Sequence, residues 1–402
     1  MIQTIQIEGF KSLLSQCIEL GRVNCFIGAN GVGKTALLEA IGILGAAADG
    51  SLGDADLKRR GVRPGVPALY KSSFKDGPAC PTISLSAEDE HGVCYRVSLG
   101  STTGNGAGDW CYDTEALTTT AGPSITRLPE HQLDSRNGFI KSQMVQLPFD
   151  SPERDLLERL QDYAIFSPST RILRGVDPDP EQRRPVGLFG GGLADAMNGL
   201  MMELVNFDPE ESTPEQRDAG EALYDSILEL IDWAELVAPD TYTRHLLSPS
   251  VPRTGRVLHF TDRYMAGDRN QLTGYDASEG ALYVLFAAIL CLDSGAPRLL
   301  AIDNIDQALN PHLAMRLTER LVIWLKTESQ DRQVLFTTHN PAVLDGLDLG
   351  DDEIRLFAVD RNSAGHSVFT RILPTPELLA LNGQYPLSRL WLMGNLGAVP
   401  NV

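Results

Sequence analysis

The sequence predicts an α/β fold built on a parallel sheet, with an antiparallel β segment beside it and a helical insert. Three observations carry this. Gly28-Ala29-Asn30-Gly31-Val32-Gly33-Lys34-Thr35 fits G-x-x-x-x-G-K-[ST], set between a short apolar strand, Val23–Ile27, and an amphipathic helix from Thr35 to Ile41. The C-terminal half alternates strand and helix: strand text at 256–260, helix at 279–293, strand at 298–302, helix at 312–326 and strand at 333–338. That order implies parallel strands joined by crossovers. Residues 81–99 alternate apolar and polar on both sides of a polar, Gly-containing turn, which predicts a β-hairpin.

The remaining elements follow in order. Residues 2–7 alternate and form a first strand. Residues 100–109 are Gly/Ser/Thr-rich and read as a loop or a further hairpin turn. Residues 153–164 and 193–236 carry apolar side chains at helical spacing, such as Leu156, Leu157, Leu160 and Leu223, Ile227, Leu230, Ile231. Between them, 176–192 is rich in Pro and Gly and is expected to be mobile. No internal repeat and no sustained heptad pattern occurs, so a long coiled coil is not expected. The apolar tail around Leu387–Trp391 either packs on its own domain or docks on a partner.

Bulk properties bound the function. The 402 residues suffice for one large domain or two of ordinary size, and 43% hydrophobic content supports a large core. A net charge of −19 excludes a basic nucleic-acid footprint as a global property. Arg171, Arg174, Arg183 and Arg184 lie close in sequence, as a local basic patch or a solvated loop. Six cysteines show no C-x-x-C pair, and Cys17, Cys25 and Cys291 sit in apolar segments as reduced core residues. The N-terminus lacks the basic start and apolar stretch of a signal peptide, and no apolar run reaches the ~18 residues a membrane span needs. A cytoplasmic protein without a membrane partner is the expectation.

Four segments carry chemistry. In the glycine loop, successive backbone N–H groups turn inward around a phosphate, and the helix N-terminus adds partial positive charge. Lys34 reaches the β- and γ-phosphates there, and the Thr35 hydroxyl ligates Mg²⁺. Leu299-Leu300-Ala301-Ile302-Asp303 is a buried strand with a carboxylate at its tip, the position that holds Mg²⁺ through water beside such a loop. Val334 to Thr338 is another buried strand, ending at His339, which either donates to a γ-phosphate or is an ordinary surface histidine. Ser278 precedes a helix that starts Glu279-Gly280, as an N-cap and as an anion site.

Taken in order, phosphate loop, Ser-x-Gly helix, apolar-strand Asp and strand-tip His resemble the ATP-binding cassette superfamily. The chain is most similar to the branch with structural-maintenance, RecF-like and OLD-type ATPases. Ile7-Glu8-Gly9-Phe10-Lys11-Ser12 looks like that branch's opening, and Asn30 is typical of its loop. The resemblance covers 1–45 and 270–345 well and the middle poorly. It implies a P-loop NTPase of ABC-ATPase type, with an ATP-binding core and antiparallel β-subdomain in 1–150 and 251–402 and a helical lobe in 151–250. ATP and Mg²⁺ are the implied cofactors. Lys11, Ser12, Gly28, Asn30, Gly31, Val32, Gly33, Lys34, Thr35 and Ala36 are the implied nucleotide residues, with Thr35 and Asp303 at the metal. A homodimer sandwiching two ATP molecules is implied, in which Ser278 and Gly280 of one copy face the γ-phosphate held by the other. Leu309-Asn310-Pro311 falls at the dimer-seam loop and is also a good N-cap and N1 pair.

The family usually places a Glu after the Mg²⁺ Asp to polarise the attacking water. Here that position is Asn304, which cannot accept a proton at neutral pH. Asp306 is the candidate substitute. With His339, these are the implied catalytic residues, and firm binding with slow hydrolysis is expected. Such a chain fits a stand-alone ATP-driven switch over a separately encoded effector in a prokaryotic defence or toxin–antitoxin system, as a dimer or higher oligomer. The alternative is a DNA-repair or chromosome-maintenance head that clamps DNA, which would make nucleic acid a partner. A transporter ATPase would carry a full L-S-G-G-Q signature and a shorter insert, and the sequence has neither.

Overall fold

The computed structural model describes residues 1–398 except 76, 78–79, 103–107, 120–124, 128–134, 205–212, 242–245, 249–254 and 330. The chain opens with β1 (Ile2–Phe10), β2 (Leu13–Glu19) and β3 (Val23–Ile27), followed by α1 (Lys34–Ala48) and the short α2 (Asp54–Lys58). Next come β4 (Ile83–Asp89), β5 (Cys94–Ser101), β6 (Trp110–Thr118) and β7 (Ile125–Arg127). An antiparallel sheet collects all of these strands but β3, in the order β2-β1-β4-β5-β6-β7. Its hairpin β4–β5 is the one expected at 81–99. The turn expected within 100–109 lies partly outside the described residues.

The middle contains α3 (Phe139–Gln143), α4 (Pro152–Asp162), β8 (Ala164–Phe166), α5 (Thr170–Leu173), α6 (Leu193–Leu204) and α7 (Pro214–Leu228), then β9 (Ala234–Asp240), β10 (Val257–Asp262) and β11 (Gln271–Thr273). The C-terminal part runs α8 (Glu279–Leu292), β12 (Leu299–Ile302), α9 (Pro311–Thr327), β13 (Gln333–Thr338), β14 (Ile354–Arg361), β15 (Ser367–Arg371), α10 (Pro376–Asn382) and α11 (Leu387–Leu392). The second large sheet has the order β15-β14-β3-β13-β12-β8, parallel throughout except for β15. Both faces of this sheet are covered. Val23, Cys25 and Ile27 join one apolar cluster with α8, while Phe26 joins the other with α1. Strands buried on both faces read as continuous apolar runs. Helix α8 is buried from Ala281 to Cys291, which explains why it is apolar all round.

Several expectations are corrected. β10 does not join the parallel sheet. It pairs antiparallel with β9 and β11, neighbours in sequence that need no crossover. The stretch assigned to a helical lobe holds β8, a core strand on β12, and β9. The 176–192 segment is anchored, not loose: Val186 and Leu188 are buried, and the Asp179 carboxylate accepts the N–H groups of Glu181, Phe189 and Gly191. Cys17 is exposed on β2 while its neighbour Ile18 faces the core, as strand alternation requires; Cys25 and Cys291 are buried as expected. Three of the clustered arginines are spent within the chain: Arg171 on Asp177, Arg183 on Asp162 and Arg174 on the Ala277 carbonyl. The tail packs on its own domain through Leu387, Leu390 and Trp391. No helix of the described residues is long and apolar enough to cross a membrane.

Register fixes where chemistry can occur. Thr338 lies opposite Ile27, and Ile302 opposite Phe336. The carboxyl tips of β3, β13 and β12 therefore meet at one edge, the place where open α/β sheets bind ligands.

Candidate nucleotide site

The glycine loop leaves the tip of β3 and enters α1 at Lys34. Gly28 and Gly33 have φ of +148° and +117°, and each is backed by the β14–β15 hairpin. A Cβ at Gly28 would lie 2.3 Å from the Val359 carbonyl oxygen, and one at Gly33 2.2 Å from Ser367 Oγ. Only glycine satisfies both the backbone angle and the contact. Gly31 faces open space, Asn30 is exposed, and Val32 and Ala36 are buried beneath the loop. Lys34 Nζ lies across the loop and donates to the carbonyls of Gly28 (2.6 Å) and Ala29 (2.9 Å). Burial lowers its pKa, against the opposing pull of Asp303 and Asp306.

Thr35 and Asp303, 268 positions apart, meet here. The Thr35 hydroxyl lies 3.0 Å from Asp303 Oδ2 and 3.2 Å from Oδ1. The Asp303 carboxylate is oriented by Thr337, whose hydroxyl donates to Oδ1 at 2.6 Å, and its N–H donates to the Phe166 carbonyl of β8 at 2.9 Å. Asn304 follows with φ +57°, a left-handed backbone that Asn takes more readily than most residues. Its N–H donates to Thr337 Oγ1 at 2.8 Å. Asp306 turns inward: it is buried and accepts the Thr338 hydroxyl at 2.7 Å, while its other oxygen stands 3.6 Å from His339 Nδ1. The His339 side chain is 56% exposed at the rim of the site.

Lys11 and Ser12 have separate surroundings. Ser12 Oγ shares a 2.7 Å hydrogen bond with Ser367 Oγ, directly behind Gly33. The Lys11 ammonium is held by Glu39 of α1 and sits 4.9 Å from the Tyr70 ring centroid. Glu39 is fully buried and also accepts Arg63 Nε (2.7 Å) and Nη2 (3.1 Å). Burial alone would raise its pKa, but the Arg63 hydrogen bonds and the Lys11 charge outweigh burial and lower it. Ser278 caps α8, its Oγ accepting the Ala281 N–H at 3.3 Å. Gly280 faces the start of α9: its Cβ would stand 3.0 Å from Leu313 Cδ2 and 3.7 Å from the Ala308 carbonyl. Asn310 caps α9 through the Leu313 N–H at 2.9 Å. Among the described residues no hydrogen bond links Ser278 to residues 28–36. Loop, Thr35, Asp303, Asn304, Asp306 and His339 thus converge, while Ser278 and Gly280 form a second locus at the α8–α9 junction.

Thr337, Thr338, Glu39, Arg63 and Ser367 were not foreseen. The two threonines end an otherwise apolar strand, and a polar pair at a strand tip beside Asp303 was the available signal.

Two family models match the chain. Residues 146–345 match the model described as "AAA domain, putative AbiEii toxin, Type IV TA system", and residues 1–58 match "AAA ATPase domain". The chain carries AAA-family ATPase domains. The shorter match contains the glycine loop, and the longer match spans Ser278, Asp303 and His339. No curated protein matches it. Among solved structures, an Smc head bound to the C-winged helix domain of ScpA is similar at 14% identity, covering 93% of this chain and 98% of that one, with a TM-score of 0.49. The SMC head domain from Thermotoga maritima is 14% identical over 92% and 98%, with a TM-score of 0.44. An Smc head domain with an extended coiled coil, bound to the C-terminal domain of ScpA derived from Pyrococcus furiosus, is 15% identical over 95% and 99%, at 0.47.

Proposed function

We propose that this chain binds ATP with Mg²⁺ between two copies of itself and hydrolyses it slowly, as a switch over a separately encoded effector. The contact between the Thr35 hydroxyl and the Asp303 carboxylate carries this reading. A hydroxyl and a carboxylate at 3.0 Å are hard oxygen donors whose chemistry suits Mg²⁺. Bound there, the ion neutralises charge on the β- and γ-phosphates. The chain's own residues do the rest. Loop N–H groups hold the phosphates, and Lys34 swings from the Gly28 and Ala29 carbonyls onto them. Thr337 fixes the Asp303 carboxylate. His339, steadied by Asp306, donates to the γ-phosphate.

Slowness follows from position 304. Asparagine can hydrogen-bond a water but cannot take its proton, and Asp306 is committed to Thr338. Among the described residues no hydrogen bond links Ser278 or Gly280 to their own loop, which supports their use in trans on a second copy. The antiparallel sheet, the parallel sheet and α1 form the ATP-binding core in this reading, with α6, α7 and the β9–β11 sheet as the lobe. The effector role in a defence or toxin–antitoxin system draws support from the AbiEii and Type IV description of the matching model.

Mixing variants tests the reading. Lys34→Ala and Ser278→Arg chains are each expected to be inactive alone and to regain activity when combined, because one composite site in the mixed dimer is intact. Inactivity of the mixture, with the parent active, removes the trans arrangement. Absence of Mg²⁺-dependent ATP binding by the parent removes the whole reading. Tight, salt-dependent DNA binding would turn it toward a DNA-clamping head.

A further inference from the structure

We propose that the cavity between α5, the start of α6, the start of β10 and the turn before α8 binds a small oxyanion, a short carboxylate or phosphate monoester, and that its occupancy is passed to Ser278 as a trigger of the ATP switch. The binding half stands alone; the trigger half rests on the trans role of Ser278 in the reading above. The cavity measures about 260 Å³, just below the about 300–1,000 Å³ of sites for drug-sized ligands, so its occupant is small. Leu173, Leu193 and Leu258 line it and are buried, which gives it an apolar floor. A Cβ at Gly192 would meet nothing within 4 Å, so the α6 wall leaves room.

Charge comes from two guanidinium groups. Arg174 lines the cavity and donates from Nη2 to the Ala277 carbonyl at 3.0 Å, whereas its Nε is buried and, among the described residues, has no hydrogen-bond partner. A buried, unpaired guanidinium N–H carries a desolvation cost that an acceptor on a bound ligand removes. Arg256 stands in the same lining, with Nη1 on Asp195 Oδ1 at 2.9 Å. Asp195 is the one carboxylate there among the described residues, so two positive groups face a single negative one. The first N–H groups of α6 add to the positive side, having no acceptor within their helix. An oxyanion head on Arg174 Nε, with a short apolar stem on the leucines, satisfies both the charge and the floor.

Three hydrogen bonds join this cavity to α8. Arg174 holds the carbonyl of Ala277, the residue before Ser278. The Ala277 N–H donates to the Thr273 carbonyl at 3.0 Å, closing the turn that carries Gly274 and Tyr275, both in the cavity lining. The Tyr283 hydroxyl of α8 donates to the Pro168 carbonyl, just ahead of α5, at 2.8 Å. An anion on Nε fixes the guanidinium that holds Ala277, and with it the approach to Ser278.

Saturation-transfer NMR on the full chain tests the site, with methyl phosphate, acetate and methylammonium as probes. The host is Lys34→Ala, which weakens the phosphate loop as a competitor. At least one of the two anions is expected to bind and methylammonium is not; the tighter anion tells phosphate from carboxylate. Arg174→Met in the host is expected to weaken that anion at least about tenfold, the worth of one charge-assisted hydrogen bond. Arg256 is exposed, so Arg256→Met spares folding; it is expected to weaken the anion too, and it decides if the Arg174 variant does not fold. Binding of neither anion, equal binding of methylammonium, or unchanged affinity in the variants that fold overturns the site. At saturating ATP and Mg²⁺, the tighter anion is expected to raise the turnover of the parent about fivefold or more, the low end of typical couplings between sites. An anion that binds the host but leaves that turnover unchanged removes the trigger alone. A parent that hydrolyses no ATP with or without the anion removes the ATP reading and the trigger with it, while the NMR result still decides the site.

Discussion

Asn304→Glu puts a proton acceptor where the slow-switch reading says one is missing. A positioned general base contributes about 10²- to 10⁴-fold, so turnover should rise by that span, equivalent to about 2.7–5.4 kcal/mol of barrier at 1.36 kcal/mol per factor of ten. The structure also sets a cost. Residue 304 has φ +57°, and its backbone is held at both ends, by its N–H on Thr337 Oγ1 (2.8 Å) and by the Gln307 N–H on its carbonyl (3.0 Å). The backbone cannot relax away from the left-handed region, where Glu is less at ease than Asn. A loss of about 1 kcal/mol is expected, which in a chain of this size lowers the melting temperature by no more than about 4 °C. Phosphate release at saturating ATP and a thermal melt read the two effects separately. A Glu variant that melts within that range yet turns over within about threefold of the parent refutes the reasoning, because position 304 would then not face the attacking water. A parent that already turns over as fast as Glu-containing relatives refutes it from the other side.

Other outcomes follow from named contacts. Gly33→Ala should abolish ATP binding and cost at least about 1–2 kcal/mol from backbone conformation alone, with more from the 2.2 Å approach to Ser367 Oγ. Adding Ser367→Gly should recover the steric part only, and full recovery in chemical denaturation would show that the φ of +117° does not matter. Thr35→Val keeps the shape but removes the hydroxyl on Asp303, so ATP affinity should become insensitive to Mg²⁺; titrations with and without the ion decide. Ala308 has φ +62°, so Ala308→Gly should raise stability by up to about 1 kcal/mol in a urea melt, and a loss would mean the angle is unstrained. Glu115 is buried, accepting the Phe139 N–H (2.6 Å) and the Tyr95 hydroxyl (3.0 Å), and burial raises its pKa above 4.5. Its contribution is therefore fully present below about pH 4.5 and lost as pH rises through the higher folded value. Glu115→Gln should flatten the fall in stability between pH 4.5 and neutrality, and an unchanged slope between urea midpoints at the two ends would contradict this.

β3 and β13 were legible to the residue, because strands covered on both faces are largely apolar and stop where the sheet meets solvent. The same logic exposed the site: phosphate loop, Asp303 and His339 all stand where apolar text breaks off at a strand tip. Elements whose identity depends on distant partners were not legible. Ala164–Phe166 is three residues long, too short for any period, yet it buttresses Asp303 through the Phe166 carbonyl. The text of β10 announced a strand but could not say which sheet it joins. Cys17 sits in an apolar run, but the phase of β2, set by pairing with β1, turns it outward. Glu39 reads as one polar residue in an apolar helix; only folding brings Lys11 and Arg63 to it, 28 and 24 positions away.

The glycine loop is made early, but the strands beside it arrive late. Asn24 of β3 reaches the Val334 carbonyl 310 positions downstream, and the loop leans on Val359 and Ser367 beyond that. A ribosome that has released everything through α9 has delivered the motif without either flanking strand. Pairings of such separation form slowly, after most of the entropy of closing the intervening chain has been overcome. The proposed nucleotide site is therefore expected to assemble only after β13 and β14 have left the ribosome, and a chain cut short before them is expected to lose it.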